Sequence, residues 1–258
     1  MNGRYLYAIV LLAPPNTYHE PPPTSLGPIG IGGRGDDVYL LSYRDIGAFV
    51  SASPTEPYAL SRSNLLTHER TLEALLKFYT LLPMQFSTIA ESETAVFTLL
   101  EQEYERFRSM LEQLRGKKEL GLKAIFHDNI LQDIAQQSEP IQRKKAEIER
   151  TGASQSALIE IGKMLEAALE AEKQKYRAQI LSHLSPLALE TVENKLIGER
   201  MLLNAAFLID AQIEAEFDKH VEEIGQMFEP KIKFKYVGHV PPYNFSRMTL
   251  SITISKES

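Results

Sequence analysis

An amphipathic helix followed directly by an extended segment is the clearest pattern in the chain, between Asn64 and Glu93. At about 100° per residue, one face of a helix over 64–81 carries Leu65, His68, Leu72, Leu75, Leu76 and Tyr79. Pro83 ends this helix, because a proline pushes the residue before it out of the α region. Residues 82–89 are therefore predicted to form a strand whose inward side chains are Met84, Phe86 and Thr88, or their neighbours if the register shifts by one residue.

His68 is the one polar residue in the middle of this apolar face. A buried imidazole must find hydrogen-bond partners. The pattern therefore predicts a buried structural histidine. A role as a ligand or a catalytic base stays open at this point, although the neighbouring sequence supplies neither a second ligand nor a nucleophile.

The rest of the chain alternates strands with amphipathic helices. Up to Gly116 we predict strands at 4–12, at 38–51 in two pieces and at 82–89, and helices at 64–81 and 93–115. Beyond it we predict a strand at 117–127, a helical section at 129–196, a strand at 199–209, a helix at 211–228 and strands at 231–237 and 248–254. This order predicts an α+β protein of two domains, 1–116 and 117–258. The second is expected to be a variant ferredoxin-like β-α-β sheet with a long helical section.

Two stretches outside the predicted sheets are candidates for binding a partner. The long helical section carries a narrow apolar seam made of Leu158, Ile161 and Leu165. A rigid turn near the C-terminal end carries Pro241, Pro242, Tyr243 and Phe245, which either close off the core or present an exposed contact. Asn204 is the only polar residue that looks buried in the strand at 199–209, so we predict a structural role for it.

Composition excludes several classes of protein. With 258 residues, 43% hydrophobic and 24% charged, the chain is typical of a globular protein that is large enough for two domains. A net charge of -6 argues against nucleic-acid binding. No apolar run reaches the roughly 18 residues of a membrane span, so a cytoplasmic protein is expected. The absence of cysteine excludes disulfides, thiolate catalysis and cysteine-ligated metals.

No motif of the sequence predicts an enzyme, a cofactor or a metal. Residues 30–35 match G-x-G-x-x-G, but prolines precede them and a β-prone run follows. A dinucleotide site needs a strand before the glycines and a helix after them, so this stretch is interpreted as a turn. The six histidines are scattered along the chain, and only folding could bring them together.

Four separate stretches resemble the gas vesicle protein F/L family. They are His68-Glu69-Arg70 with Leu82-Pro83-x-x-Phe86-x-Thr88, then Glu119 to Lys123, then Asn204 to Asp210, then Gly238-x-x-Pro241-Pro242-Tyr243-Asn244-Phe245. They occur in the family's order and with compatible spacing. Gln85 and Ser87 stand where the family commonly has arginine and glycine.

The resemblance implies a non-enzymatic accessory or minor structural protein of gas vesicles. Such a protein would act in vesicle assembly by contact with the shell protein or with other accessory proteins, at the gas vesicle in the cytoplasm. The residues alone leave two alternatives open. One is a regulatory module that binds a small molecule between sheet and helices, and the other is a histidine-dependent enzyme.

Overall fold

The computed structural model describes residues 3–12 and 22–246, which form ten strands and seven α-helices. The predicted strand at 248–254 and part of the predicted loop at 13–37 lie outside the described residues. Helices and antiparallel strands are both well represented, so the predicted α+β class is confirmed.

The first sheet is built around its N-terminal strand. Its strands are β1 (Gly3–Leu11), β2 (Ser25–Gly27), β3 (Val38–Tyr43), β4 (Ile46–Ser53), β5 (Leu81–Pro83) and β6 (Ile89–Ala90). They lie in the order β2-β3-β4-β1-β5, with β6 also paired to β1. β1 pairs antiparallel with β4 along its whole length, from Gly3 opposite Ser53 to Leu11 opposite Ile46. An almost continuous apolar run suits this central position, and the side chains from Tyr5 to Leu11 are buried.

Three helices pack on this sheet: α1 (Arg62–Leu76), α2 (Glu93–Gln102) and α3 (Tyr104–Leu114). Ser61 caps α1, because its side chain accepts a hydrogen bond from the amide of Asn64. α1 covers the face of the sheet that carries Tyr5 and Tyr7. The helix predicted at 93–115 is interrupted at Glu103, whose backbone leaves helical geometry between α2 and α3.

The strand predicted at 82–89 is wrong as one continuous element. The structure has β5 and β6 instead, separated by a turn. Ser87 in this turn has φ +66°, a left-handed conformation that ends extended backbone. The helix predicted at 64–81 is also too long, since α1 ends at Leu76 and the chain turns through Tyr79 into β5.

The second sheet has four strands: β7 (Lys117–Phe126), β8 (Glu190–Glu193), β9 (Met201–Asp210) and β10 (Ile232–Val240), in the order β10-β7-β9-β8. Its helices are α4 (Ile130–Gln137), α5 (Glu139–Thr151) and α6 (Gln155–Leu184) between β7 and β8, and α7 (Glu214–Phe228) between β9 and β10. A β-α-β-β-α-β order with this strand arrangement is the connectivity of a ferredoxin-like unit.

The sequence missed β8. The helical section predicted at 129–196 ends at Leu184, a short 3₁₀ turn follows, and β8 then pairs antiparallel with β9. β8 is short and polar, and its two inner residues, Thr191 and Val192, are only half-buried. A four-residue strand with this composition carries too little periodicity to stand out from a helical context.

Contacts within the chain divide the described residues into two compact units. Residues 3–12, 22–119 and 239–246 form the first unit, and residues 120–238 form the second. The sequence places 239–246 in a C-terminal domain, whereas these residues group with the first unit. The domains 1–116 and 117–258, as independently folding pieces, stay a prediction.

Candidate functional site

A buried group of aromatic and polar residues surrounds His68 in the first unit. We call it the His68 cluster, and it consists of Tyr5, Tyr7, His68, Met84, Phe86, Ser87 and Tyr243. β1 supplies the two tyrosines at positions i and i+2, which point to the same face of the sheet. α1 supplies the histidine, and the turn after β10 supplies Tyr243.

Both nitrogens of His68 have hydrogen-bond partners. Nδ1 lies 3.0 Å from the hydroxyl of Tyr5. Nε2 lies 3.2 Å from the carbonyl oxygen of Met84 and 3.0 Å from the hydroxyl of Tyr243. Because the carbonyl oxygen of Met84 can only accept, Nε2 carries the proton of His68 and donates it toward Met84 and Tyr243. Nδ1 therefore accepts from the Tyr5 hydroxyl, whose oxygen accepts in turn from the amide of Ser87 at 3.0 Å.

The rings of the cluster hold the imidazole from several sides. Tyr7 stacks on it with ring centres 5.9 Å apart, and Tyr5 meets it edge-on at 5.7 Å. Phe86 adds a second edge contact at 6.0 Å. These contacts fix the ring in the orientation in which it makes its hydrogen bonds.

Tyr7 ties the loop before β3 to the same cluster. Its hydroxyl accepts a hydrogen bond from the amide of Ile31 at 2.8 Å and lies 3.0 Å from the hydroxyl of Ser51. Burial raises the pKa of Tyr7, and it raises the pKa of Tyr5 as well. Ile31 belongs to the G-x-G-x-x-G stretch, so the first part of this stretch is held against the core by its backbone, and β3 rather than a helix follows it.

Burial lowers the pKa of His68 to about 4, although its hydrogen bond to the Met84 carbonyl acts in the opposite direction. Only 2% of the residue is exposed. The imidazole is therefore neutral near pH 7, and its only lone pair on nitrogen accepts from Tyr5. An imidazole in this state has no free nitrogen for a metal or for a substrate proton.

Next to Tyr243, Asn244 binds a buried carboxylate. The side-chain amide of Asn244 donates to Oε1 of Glu119 at 2.6 Å, and its backbone amide donates to Oε2 at 3.1 Å. Glu119 is 3% exposed, and burial raises its pKa while the bonds from Asn244 oppose the rise. In the alternating pattern of β7, Glu119 lies on the other face of the strand from the buried Leu120 and Leu122, the face expected to be exposed. The alternation alone therefore did not predict that Glu119 is buried.

The predicted partner-binding turn is largely turned inward. Pro242 is buried, and Pro241 and Phe245 are half-buried. Tyr243 leaves 40% of its surface exposed while its hydroxyl reaches His68. Tyr243 is thus the most exposed of the four predicted residues of the turn, although its hydroxyl is directed inward.

The predicted helical seam is split in the same way. Ile161 and Leu165 are half-buried and pack on the core of the second unit. Leu158 at the start of α6 is 53% exposed, as is its neighbour Ile159. Asn204 is half-buried, and its amide donates to the carbonyl oxygen of Lys195 at 2.9 Å.

Within residues 3–12 and 22–246, no group of three or more histidine, aspartate and glutamate side chains is placed to hold a metal ion. His127 contacts the carbonyl oxygen of Glu229, and His220 contacts that of Glu216 in its own helix. No helix in these two ranges is both long enough and apolar enough to cross a bilayer.

Comparison with known proteins agrees with the sequence motifs. The family model described as "Gas vesicle synthesis protein GvpL/GvpF" matches residues 3–247. The chain belongs to this family. "Gas vesicle protein F" of Nostoc sp. is 30% identical over 256 residues, which cover 96% of this chain and 99% of the relative. "Gas vesicle protein F" of Dolichospermum flosaquae is 31% identical, covering 77% of this chain and 82% of the relative.

Solved structures agree with the family assignment. The crystal structure of the gas vesicle protein GvpF from Anabaena sp. matches with a TM-score of 0.80 and 29% identity, covering 97% of this chain and 100% of the other. The GvpF crystal structure from Microcystis aeruginosa matches with a TM-score of 0.74 and 25% identity, covering 96% and 100%. The protein is thus a gas vesicle-related protein, and its family is not a known enzyme family.

The sequence missed two of the contacts described above. It gave no partner for His68, although two tyrosines two residues apart in the apolar β1 were a usable sign of hydroxyl groups inside the core. It also gave no sign of the contact between Glu119 and Asn244, which joins residues 125 positions apart.

Proposed function

We propose that the protein acts in gas vesicle assembly by contact with the shell protein or with other vesicle proteins, and not by turning over a substrate. The observation that carries the proposal is membership of the GvpL/GvpF family over almost the entire chain. The place of action would then be the gas vesicle.

The His68 cluster supports this proposal over the histidine-dependent enzyme. Both imidazole nitrogens are used in contacts within the protein, and the burial that lowers the pKa of His68 also separates it from solvent. A catalytic base needs a free lone pair within reach of a substrate proton. Holding the turn that contains Tyr243 is the task that these contacts do perform.

The surface we propose for the vesicle partner is the exposed apolar start of α6. Leu158 and Ile159 are each about half exposed there, next to the half-buried Ile161. Apolar side chains exposed side by side at a helix end are suited to a protein contact, in which a few anchors supply most of the affinity.

The test is retention of the purified shell protein on the immobilised chain. Leu158→Ser with Ile159→Ser should weaken retention about tenfold or more, whereas Leu60→Ser, which changes an apolar residue that is 79% exposed in the first unit, should leave it unchanged. Circular dichroism checks that each variant is folded.

The proposal fails if the folded wild-type chain retains neither the shell protein nor any other purified vesicle component, and if deletion of the gene leaves vesicle formation intact. Equal retention by the α6 variant and the Leu60 control would leave assembly by contact in place but reject the α6 surface.

A further inference from the structure

The edge of the second sheet at β10 combines three features that occur together in peptide-binding sites. Within the part of the chain that the structure describes, β10 ends the sheet and pairs only with β7. α7 packs beside it, and concave surfaces open on both sides of the strand. An open strand edge beside a helix is the geometry in which an extended peptide adds as a further strand.

On the helix side, a groove of about 840 Å³ runs between α7 and β10. We call it the helix groove. Val221 and Gly225 of α7 and Ile232 and Phe234 of β10 give it an apolar base. Asp218, Glu222 and Glu229 make its rim mainly acidic, although Lys233 also lines it. Apolar side chains of a bound strand fit this groove, and acidic ones are repelled by its rim.

Gly225 keeps the helix groove open. A methyl group added at this position would lie 3.7 Å from the ring of Phe234, an ordinary contact without a clash. Packing therefore does not require glycine here, and glycine is among the weakest helix formers. A longer side chain at position 225 would occupy the groove without straining α7.

On the opposite side of β10, the exposed side chains are basic. Lys233 and Lys235 line a second concavity of about 350 Å³ together with Arg200, and Ile125 contributes apolar surface. We call it the basic cleft. Arg200 is paired with Asp128, whereas neither lysine has a salt-bridge partner among the described residues. Acidic side chains of a bound strand fit this side.

We infer that the β10 edge binds an extended polypeptide segment in which apolar and acidic residues alternate. Side chains of a strand point alternately to opposite faces. Strand addition to β10 would thus send the apolar set into the helix groove and the acidic set over Lys233 and Lys235. Lysines on an open edge also discourage pairing with a like-charged strand, which restricts the edge to an acidic partner.

This surface goes beyond the proposed function, because it concerns β10 and α7 rather than the start of α6. It also makes no assumption about whether the partner belongs to the vesicle. If the peptide does not bind at β10, the proposed retention of the shell protein is unaffected. If the shell protein is not retained, the proposed peptide binding at β10 is unaffected.

The probe is a fluorescein-labelled peptide of about eight residues that alternates valine and glutamate, measured by fluorescence anisotropy with the full chain. Two comparison peptides are used, one with lysine in place of glutamate and one with the valines and glutamates grouped in two blocks. The alternating acidic peptide should bind about tenfold tighter than either. Hydrogen exchange should show added protection at the amides of β10.

Two variants test the two sides of the strand separately. Gly225→Leu should weaken binding about tenfold, while Gly162→Leu, at an exposed helical glycine with no neighbouring atoms within 4 Å, should leave it unchanged. Lys233→Glu with Lys235→Glu should weaken the acidic peptide and favour the lysine peptide. The control, Lys145→Glu with Lys163→Glu, changes the net charge by the same amount at exposed helical positions. It should neither weaken binding of the acidic peptide nor favour the lysine peptide.

The inference is overturned if the acidic and lysine peptides bind equally. It is overturned as well if Gly225→Leu, with thermal stability kept, binds like the wild type, or if the alternating peptide shows no saturable binding up to about 1 mM. A thermal melt of each variant establishes that the folded state is being compared.

Discussion

The His68 cluster and the β10 edge treat their polar groups in opposite ways. In the cluster, the hydroxyl groups, the imidazole nitrogens and the carbonyl of Met84 have partners within the first unit. At the β10 edge, Lys233 and Lys235 are exposed on a strand that pairs only with β7 among the described residues. A histidine in a signature motif is a natural candidate for a catalytic or ligand-binding residue. Here both nitrogens of His68 are used in hydrogen bonds within the protein, so neither is available to a ligand.

The comparison shows how a polar residue can be assigned to structure or to binding from its partners. A buried polar group with its hydrogen bonds satisfied stabilises one arrangement, and changing it should alter the free energy of unfolding. An exposed charge without a partner adds little to stability and remains available to a ligand.

His68→Ala should lower the free energy of unfolding by about 3 to 4 kcal/mol. The change leaves the hydroxyls of Tyr5 and Tyr243 without their imidazole partner and opens a cavity among buried rings. Urea denaturation at pH 7.5 measures the change. Lys233→Ala and Lys235→Ala are the controls at the open edge and should leave stability unchanged. Equal effects at both places would remove the distinction.

The His68 cluster should also make stability depend on pH. The pKa of His68 is about 4 in the folded chain and 6.5 as a reference, so the residue is neutral in both states at pH 7.5. Between pH 6.5 and pH 4 the unfolded chain takes up a proton that the folded chain does not. Stability should therefore fall by about 3 kcal/mol over this interval as pH decreases.

His68→Gln separates this dependence from the other acidic groups. Glu119 has a raised pKa and contributes in the opposite direction over part of the same range, but it does so in both proteins. Tyr5 and Tyr243, the phenols in contact with His68, stay neutral throughout, since burial raises the pKa of each. The pH dependence due to His68 should appear in the difference between the free energies of unfolding of the wild type and of His68→Gln, plotted against pH. Parallel curves would mean that His68 titrates normally in the folded protein.

Asn244→Ala should lower stability by about 2 kcal/mol at pH 7.5. The carboxylate of Glu119 keeps only its bond from the backbone amide of residue 244 and stays buried. Losing the side-chain donor raises the pKa of Glu119 further, so the loss should shrink as pH falls and the carboxyl takes up a proton. Denaturation at pH 7.5 and pH 5 measures both effects.

Asn204→Ala is the matched control for this prediction. Asn204 is half-buried, and its amide donates to the backbone carbonyl of Lys195 rather than to a buried charge. Its removal should cost about 1 kcal/mol or less, without a change between the two pH values. If Asn204→Ala destabilises more than Asn244→Ala, the buried carboxylate is not what holds the C-terminal turn.

Regular periodicity in the sequence made much of the fold predictable. The inward residues of β7 at Leu120, Leu122, Ala124 and Phe126 and the buried face of α1 follow from periods of two and 3.6. β8 was not predicted, because its four mostly polar residues show no hydrophobic periodicity. The turn at Ser87 was not predicted, because a hydrophobic pattern does not show that a serine adopts a left-handed backbone conformation.

The candidate sites were less predictable because they depend on contacts between distant residues. The partner of His68 at Nδ1 is 63 positions away, and the partner of Glu119 is 125 positions away. The groove beside β10 requires knowing that α7 packs next to an edge strand. Such pairings are set by the strand order of the folded chain, which the hydrophobic pattern of a single sequence does not show.

Ser87 offers the smallest and most specific test of the closed cluster. Its φ of +66° places a residue with a Cβ in the left-handed region, which is strained for any residue other than glycine. Two contacts accompany this conformation. Its hydroxyl oxygen accepts from the amide of Tyr58 at 2.9 Å, and its own amide donates to Tyr5.

Replacing Ser87 by alanine and by glycine separates backbone strain from the hydroxyl contact. Ser87→Ala keeps the left-handed strain and loses the acceptor for Tyr58, which should lower the free energy of unfolding by about 1 kcal/mol. Ser87→Gly loses the same acceptor but relieves about 1 kcal/mol of strain, so its stability should match the wild type.

Gly116→Ala, at φ +70° with no atom within 4 Å of the added methyl, measures the strain alone and should cost about 1 kcal/mol. If alanine and glycine at position 87 destabilise equally while Gly116→Ala shows its cost, the Ser87 backbone relaxes on substitution. The turn between β5 and β6 would then not be held rigidly by the cluster.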